Sequence, residues 1–210
     1  MNPKERTKKL ISILKKLYPE AKIELKFGNN MQLLTAVILS AQCTDKRVNM
    51  VTETLFKKYK TAEDFANADL KTLEQEIKST GFYRNKARNI IGAAKMIVDK
   101  FNGQVPDKMK DLLQLPGVAR KTANIILWVA FGKNEGIAVD THVMRLSRQL
   151  LLTEEKTPEK IEKDLMKLVP RNLWGWFSLA LVLTGRYICP ARIKCDFKIL
   201  EAAAKKTAQE

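Results

Sequence analysis

The sequence predicts an all-α fold. Apolar residues recur at three- and four-residue spacing along most of the chain, the strict alternation of a half-buried strand is nearly absent, and capping residues stand where the helical periodicity starts and stops. The first helix, over 3–18, puts Leu10, Ile11, Leu14 and Leu17 on one face. Two more follow over 30–41 and 45–59, the second opened by Asp45 as N-cap. Asp69 opens a helix over 69–79 in the same way, and Gly81 follows it as a residue that readily ends a helix. Gly103 does so after the long run over 83–101. Helices over 109–114 and 118–131 flank Pro116-Gly117, and one over 141–151 begins behind Asp140. Thr157-Pro158 supplies an N-cap and first turn for 158–168, and the apolar stretch over 172–186 completes the set. No Gly/Ser linker, low-complexity tract or repeat interrupts the chain, so composition draws no domain boundary.

Composition narrows the function classes. Over 210 residues, 45% hydrophobic content supports a packed core and excludes intrinsic disorder. The longest apolar stretches, Ile125 to Phe131 and Phe177 to Leu183, fall short of the roughly 20 residues that cross a bilayer. The basic N-terminus lacks the hydrophobic block of a signal peptide, so an intracellular protein with no membrane association is expected. Three cysteines are too few for a disulfide framework, and an odd number inside the cell predicts reduced thiols. A formal charge of +15 and a pI near 9.7 suit a protein that binds a polyanion. Lysine spread over helix exteriors also serves solubility, and charge alone fits DNA, RNA or anionic lipid equally.

Residues 110–132, KDLLQLPGVARKTANIILWVAFG, carry the most chemistry. Pro116 stops one helix, Gly117 permits a positive φ, and Val118 returns the chain to the interior, which makes a helix-hairpin-helix. The start of its second helix exposes backbone N–H groups at a positive dipole end, which suits a phosphate. A plain turn between two packed helices explains Pro-Gly as well. Lys121 sits in the first turn of that second helix, which is apolar on nearly every side, and shares a face with Ile125 and Trp128. The helix dipole, Arg120 and partial desolvation would each disfavour its ammonium form and favour the neutral amine that a nucleophile needs. A lysine that snorkels to solvent or clamps a phosphate is the alternative. Asp140, before Thr141-His142, reads as an N-cap. Chain length leaves it a second role. The helix climbs about 17 Å from Lys121 to Gly132, and the steps on to Asp140 span up to roughly 26 Å, so this carboxylate can return beside the amine as its general base or electrostatic partner.

Together with LLTAVILSAQCTD (33–45), TGFYRNKARNI (80–90), NGQVP (102–106), LPGVARKTAN (115–124), IAVDTHVMRL (137–146) and GRYIC (185–189), these residues resemble the endonuclease III family of the helix-hairpin-helix DNA glycosylase superfamily. The resemblance implies two helical domains with a DNA-binding cleft between them. One is a six-helix domain over 22–133 with the hairpin at about 109–131, and the other is discontinuous, 1–21 plus 134–210. It also implies a bifunctional DNA glycosylase and AP lyase of base excision repair. Lys121 would form the Schiff base, Asp140 would be the catalytic aspartate, and strand cleavage would follow by β-elimination. Oxidised pyrimidines are the implied substrates and damaged double-stranded DNA the implied partner, with a monomer sufficient.

By the same resemblance Gln42 fills the space left by the extruded base, and Phe82 is an apolar wedge. Asp45 lines the base pocket and His142, the only histidine and too isolated to suggest a metal, packs or supports near Asp140. Arg84, Lys86 and Arg88 supply backbone contacts, as do Gly117, Val118, Ala119 and Arg120 of the hairpin. Ala119 departs from the family's usual second glycine but leaves its N–H available. The cysteines depart further. Many relatives close this region with four cysteines around a [4Fe-4S] cluster, whereas here Cys195 follows Cys189 after five residues instead of six and no cysteine follows. No cofactor and no metal are therefore expected, and Tyr187, Ile188, Ile193, Phe197 and Leu200 are expected to hold the segment by packing. A non-catalytic helix-hairpin-helix DNA-binding module, or a glycosylase of this fold with another lesion preference, are the competing readings.

Overall fold

The computed structural model describes residues 1–207, and among them every regular element is helical. In chain order these are α1 (Pro3–Leu17), α2 (Asn30–Leu39), α3 (Asp45–Lys58), α4 (Ala62–Ala66), α5 (Leu70–Glu76), α6 (Tyr83–Phe101), α7 (Met109–Leu112), α8 (Arg120–Phe131), α9 (Thr141–Gln149), α10 (Pro158–Leu168), α11 (Trp174–Leu183) and α12 (Phe197–Thr207). None of them is long and apolar enough to cross a membrane. The chain divides into two compact units, Glu24–Lys133 and Met1–Ile23 with Asn134–Glu210.

In the unit Glu24–Lys133, α2 is buried along nearly its whole length, and α6 packs against α2, α4 and α5. The N-cap of α3 is Thr44, whose hydroxyl accepts from the Arg47 N–H at 3.3 Å. Asp45, expected to cap, is the first helical residue instead, because Thr44 already has the extended backbone and the oxygen that a cap requires. Helix α4 was not expected: five residues are too few to show a 3.6-residue period. It forms because Thr61 and Asp64 make a reciprocal capping box and because the Phe65 ring stacks on Tyr59 at 5.0 Å. The Asp64 carboxylate accepts the Lys60 and Thr61 N–H groups, which holds its pKa below the usual range. A 3₁₀ turn, Lys78–Thr80, leads from α5 to α6.

In the other unit, α1 starts with a capping box between Asn2 and Glu5 and buries Leu10, Ile13 and Leu14, with Ile11 and Leu17 half-buried beside them. The Trp176 indole N–H donates to the Tyr18 carbonyl at 2.9 Å, fastening the end of α1 to α11. An i→i+5 turn extends α11 and closes with Cys189 N–H on the Thr184 carbonyl. Two expectations are corrected here. Cys189 and Cys195 are not reduced thiols but a buried disulfide, with Cα atoms 5.6 Å apart. A turn closed by Ile193 N–H on Pro190 O brings them together, which a count of cysteines could not reveal. Tyr187 is not packed into this segment, being 65% exposed; Leu200 is buried, and Ile188 and Phe197 are half-buried. The unexpected α12 does the rest, with Leu200 and Ala204 inward, Glu201 2.7 Å from Lys9, and Lys9 lying over the Phe197 ring.

Candidate functional site

The hairpin forms as its residues dictate. Leu115 and Val118 are buried anchors, the Val118 N–H closes the turn on the Leu115 carbonyl at 3.1 Å, and Gly117 takes φ +79°. Val118 therefore acts by packing, and its amide is not open to a phosphate. A Cβ on Gly117 would lie 2.8 Å from the Asn89 Cβ, and one on Gly92 would lie 3.2 Å from Pro116. So α6 supports the hairpin through Asn89 and Gly92. Sequence reasoning missed both residues, although their i,i+3 spacing places them on one helix face. Gly117→Ala is expected to lower stability by about 1–3 kcal/mol, adding a left-handed non-glycine residue to a steric clash; urea unfolding measures it, and an unchanged midpoint would contradict the packing described.

Helix α8 begins at Arg120, two residues later than expected, behind an extended Ala119 that has no polar side chain to cap it. Gly117, Ala119, Arg120 and Lys121 are all exposed. For Lys121 this is a correction: a desolvated lysine was expected. Helix side chains tilt toward the N-terminus, so a first-turn lysine projects past the start of α8, while burial falls on Ala123, Asn124, Ile126 and Leu127. Ile125 and Trp128, on the Lys121 face, are only half-buried.

Asp140 is the N-cap of α9, half-buried, with Oδ1 accepting the Val143 N–H at 2.8 Å. One carboxylate oxygen thus holds the helix. His142 lies against Gly185, where an added Cβ would come within 2.6 Å of its Nδ1, so its imidazole packs on bare backbone. Asp45 is half-buried in the first turn of α3.

Gln42 and Phe82 are both exposed and both left-handed, at φ 53° and 47°. Gln42 lies in the bend between α2 and α3; Phe82 is the N-cap of α6, 63% exposed. Arg84 is exposed, its guanidinium over the Tyr83 ring. Lys86 is corrected: it is 4% exposed and cannot reach a DNA backbone. Its Nζ donates to the Leu39 and Thr80 carbonyls, each at 2.8 Å. Burial holds the pKa of this ammonium below the usual lysine value, while nearby Cys43 pulls the other way. Exposed Arg84 and buried Lys86 stand two residues apart on one helix, and the sequence showed no sign of which faced inward.

The model of the HhH-GPD superfamily base excision DNA repair proteins matches residues 35–171. The chain is 53% identical to endonuclease III of Synechocystis sp. (strain ATCC 27184 / PCC 6803 / Kazusa) over 189 residues, 90% of this chain and 86% of that protein. It is similar to a solved endonuclease III in a trapped covalent intermediate with DNA, at 45% identity and a TM-score of 0.87, covering 91% of this chain and 90% of that one. It is also similar to an endonuclease III in a non-covalent DNA complex, at 42% identity and a TM-score of 0.88 over the whole of both chains.

Proposed function

Because the chain belongs to the endonuclease III family of HhH-GPD base excision DNA repair proteins, we propose that it is a bifunctional DNA glycosylase and AP lyase acting on double-stranded DNA with damaged bases or abasic sites. The observation that carries this reading is Lys121, an exposed primary amine in the first turn of α8 directly behind the hairpin. In its neutral form the amine attacks C1′ of the damaged nucleotide, and the C1′–N bond breaks with its electron pair leaving on the base, which takes up a proton. Asp140 accepts the proton lost by the attacking nitrogen and stabilises positive charge on the sugar. The sugar ring opens to an imine, which acidifies C2′. Loss of a C2′ proton expels the 3′ phosphate with the C3′–O electrons, and water then hydrolyses the imine, returning the lysine.

Exposure supports the other roles that the family resemblance implies. Amides at Gly117, Ala119 and Arg120 meet a phosphate, Arg84 a second one, and Gln42 and Phe82 enter the helix where the base has left it. Asp45 contributes to the base pocket, and His142 supports Asp140 by fastening the start of α9 against Gly185. The two compact units are read as the family's two helical domains. The enzyme acts as a monomer wherever the genome is, within the cell. Oxidised pyrimidines are its preferred lesions. Single-turnover assays on duplexes carrying thymine glycol, uracil or 8-oxoguanine test this: thymine glycol should be released fastest, with strands ending in an unsaturated aldehyde. Tight binding without base release or scission would favour the non-catalytic module.

We also propose that the protein carries no iron-sulfur cluster. A cluster of this kind needs four thiolates, the sequence holds three cysteines, and the two in the relevant segment are bonded to each other. Unfolded, unreduced protein should titrate one thiol, Cys43, and reduced protein all three. Bound iron with visible absorption would overturn the proposal.

A further inference from the structure

Lys86, like Val118, is buried away from the role first expected, and its hydrogen bonds show another. The Leu39 carbonyl ends α2, three residues before Gln42; the Thr80 carbonyl ends the 3₁₀ turn, two residues before Phe82. One Nζ, on a residue 4% exposed, therefore joins the bends that carry Gln42 and Phe82, both exposed and left-handed. The Lys86 backbone adds a third link, its N–H donating to the Phe82 carbonyl at 3.1 Å. A left-handed conformation in a side-chain-bearing residue persists only where its surroundings fix it. Gln42 and Phe82 are two of only four such residues among those described.

We propose that Lys86 is a positioning residue that locks the Gln42 and Phe82 bends into one rigid unit, so that both side chains enter duplex DNA together and hold the target base out of the stack. This rests on the reading of Gln42 and Phe82 as inserting residues. Two N–H donors serve the two carbonyls, so the link is complete whether the amine is neutral or charged. Cation placement at the end of α2 also suits the negative pole of that helix.

The test is a set of mutant cycles combining Lys86→Met with Gln42→Ala and with Phe82→Ala. Base opening is read from 2-aminopurine fluorescence beside an abasic-site analogue, excision by single-turnover rate, and folding by thermal unfolding. Lys86→Met should reduce the fluorescence rise and slow excision by about one to two orders of magnitude, the scale expected of small misplacements. Adding Gln42→Ala or Phe82→Ala should then cost much less than in the parent. Additive losses, or unchanged opening, would overturn the proposal. Should Lys86→Met fail to fold, Lys86→Gln, which keeps two N–H donors on a shorter stem, carries the same cycles. Borohydride trapping of the parent protein on abasic DNA separates the two readings: absence of an adduct sinks the enzymatic one, while the 2-aminopurine signal still decides the positioning one.

Discussion

Lys121→Gln is expected to abolish strand scission at abasic sites, with a loss of about 10³-fold or more in single-turnover rate, as follows when a covalent nucleophile is removed. Folding should be nearly untouched. The side chain is exposed, glutamine matches lysine in helix propensity, and removing a cation from the positive end of α8 relieves a small repulsion. A change in unfolding free energy within about 0.5 kcal/mol is therefore expected. DNA affinity should fall only by the share of one exposed cation. Residual scission at the parent rate in the folded variant would show that another amine does the chemistry.

Asp140→Asn should leave DNA binding intact and slow base release by about 10²–10⁴-fold, the contribution of a positioned general base. The substitution isolates charge from structure. Asparagine is as good an N-cap as aspartate, and its side-chain oxygen can keep the bond to the Val143 N–H that Oδ1 makes in the parent. Asp140→Ala should add a stability loss of about 1 kcal/mol for the missing cap, while Asp140→Asn should not. Unchanged turnover in Asp140→Asn would reduce this residue to its cap and remove the catalytic role.

Where one local signal decided an element, the sequence was legible. Asp69 caps α5, Thr157 with Pro158 opens α10, Gly103 follows the end of α6, and Pro116-Gly117 makes the hairpin. Helices α4 and α12 were missed for different reasons. Five residues give α4 no period to detect, but its Thr61–Asp64 capping box was readable. The alanine-rich stretch at 202–204 in α12 signals a helix only weakly, by propensity, with no stop residue to mark its end. Burial was harder. Exposed Lys121 and buried Lys86 are both lysines near the start of a helix, and what separates them is which turn the side chain tilts over and which carbonyls lie within reach. Those carbonyls belong to residues six and forty-seven positions away in sequence. The disulfide has the same origin, a local turn that sets two sulfurs together.

Mapping the borohydride-reduced adduct by tryptic digestion and mass spectrometry tests Lys121 most directly. An alkylated lysine resists trypsin, so the deoxyribose remnant should appear on the peptide spanning 121–133, left intact after Lys121 and released by cuts after Arg120 and Lys133. The remnant on any other lysine or on the N-terminal amine, with the 121–133 segment cut normally, would contradict it.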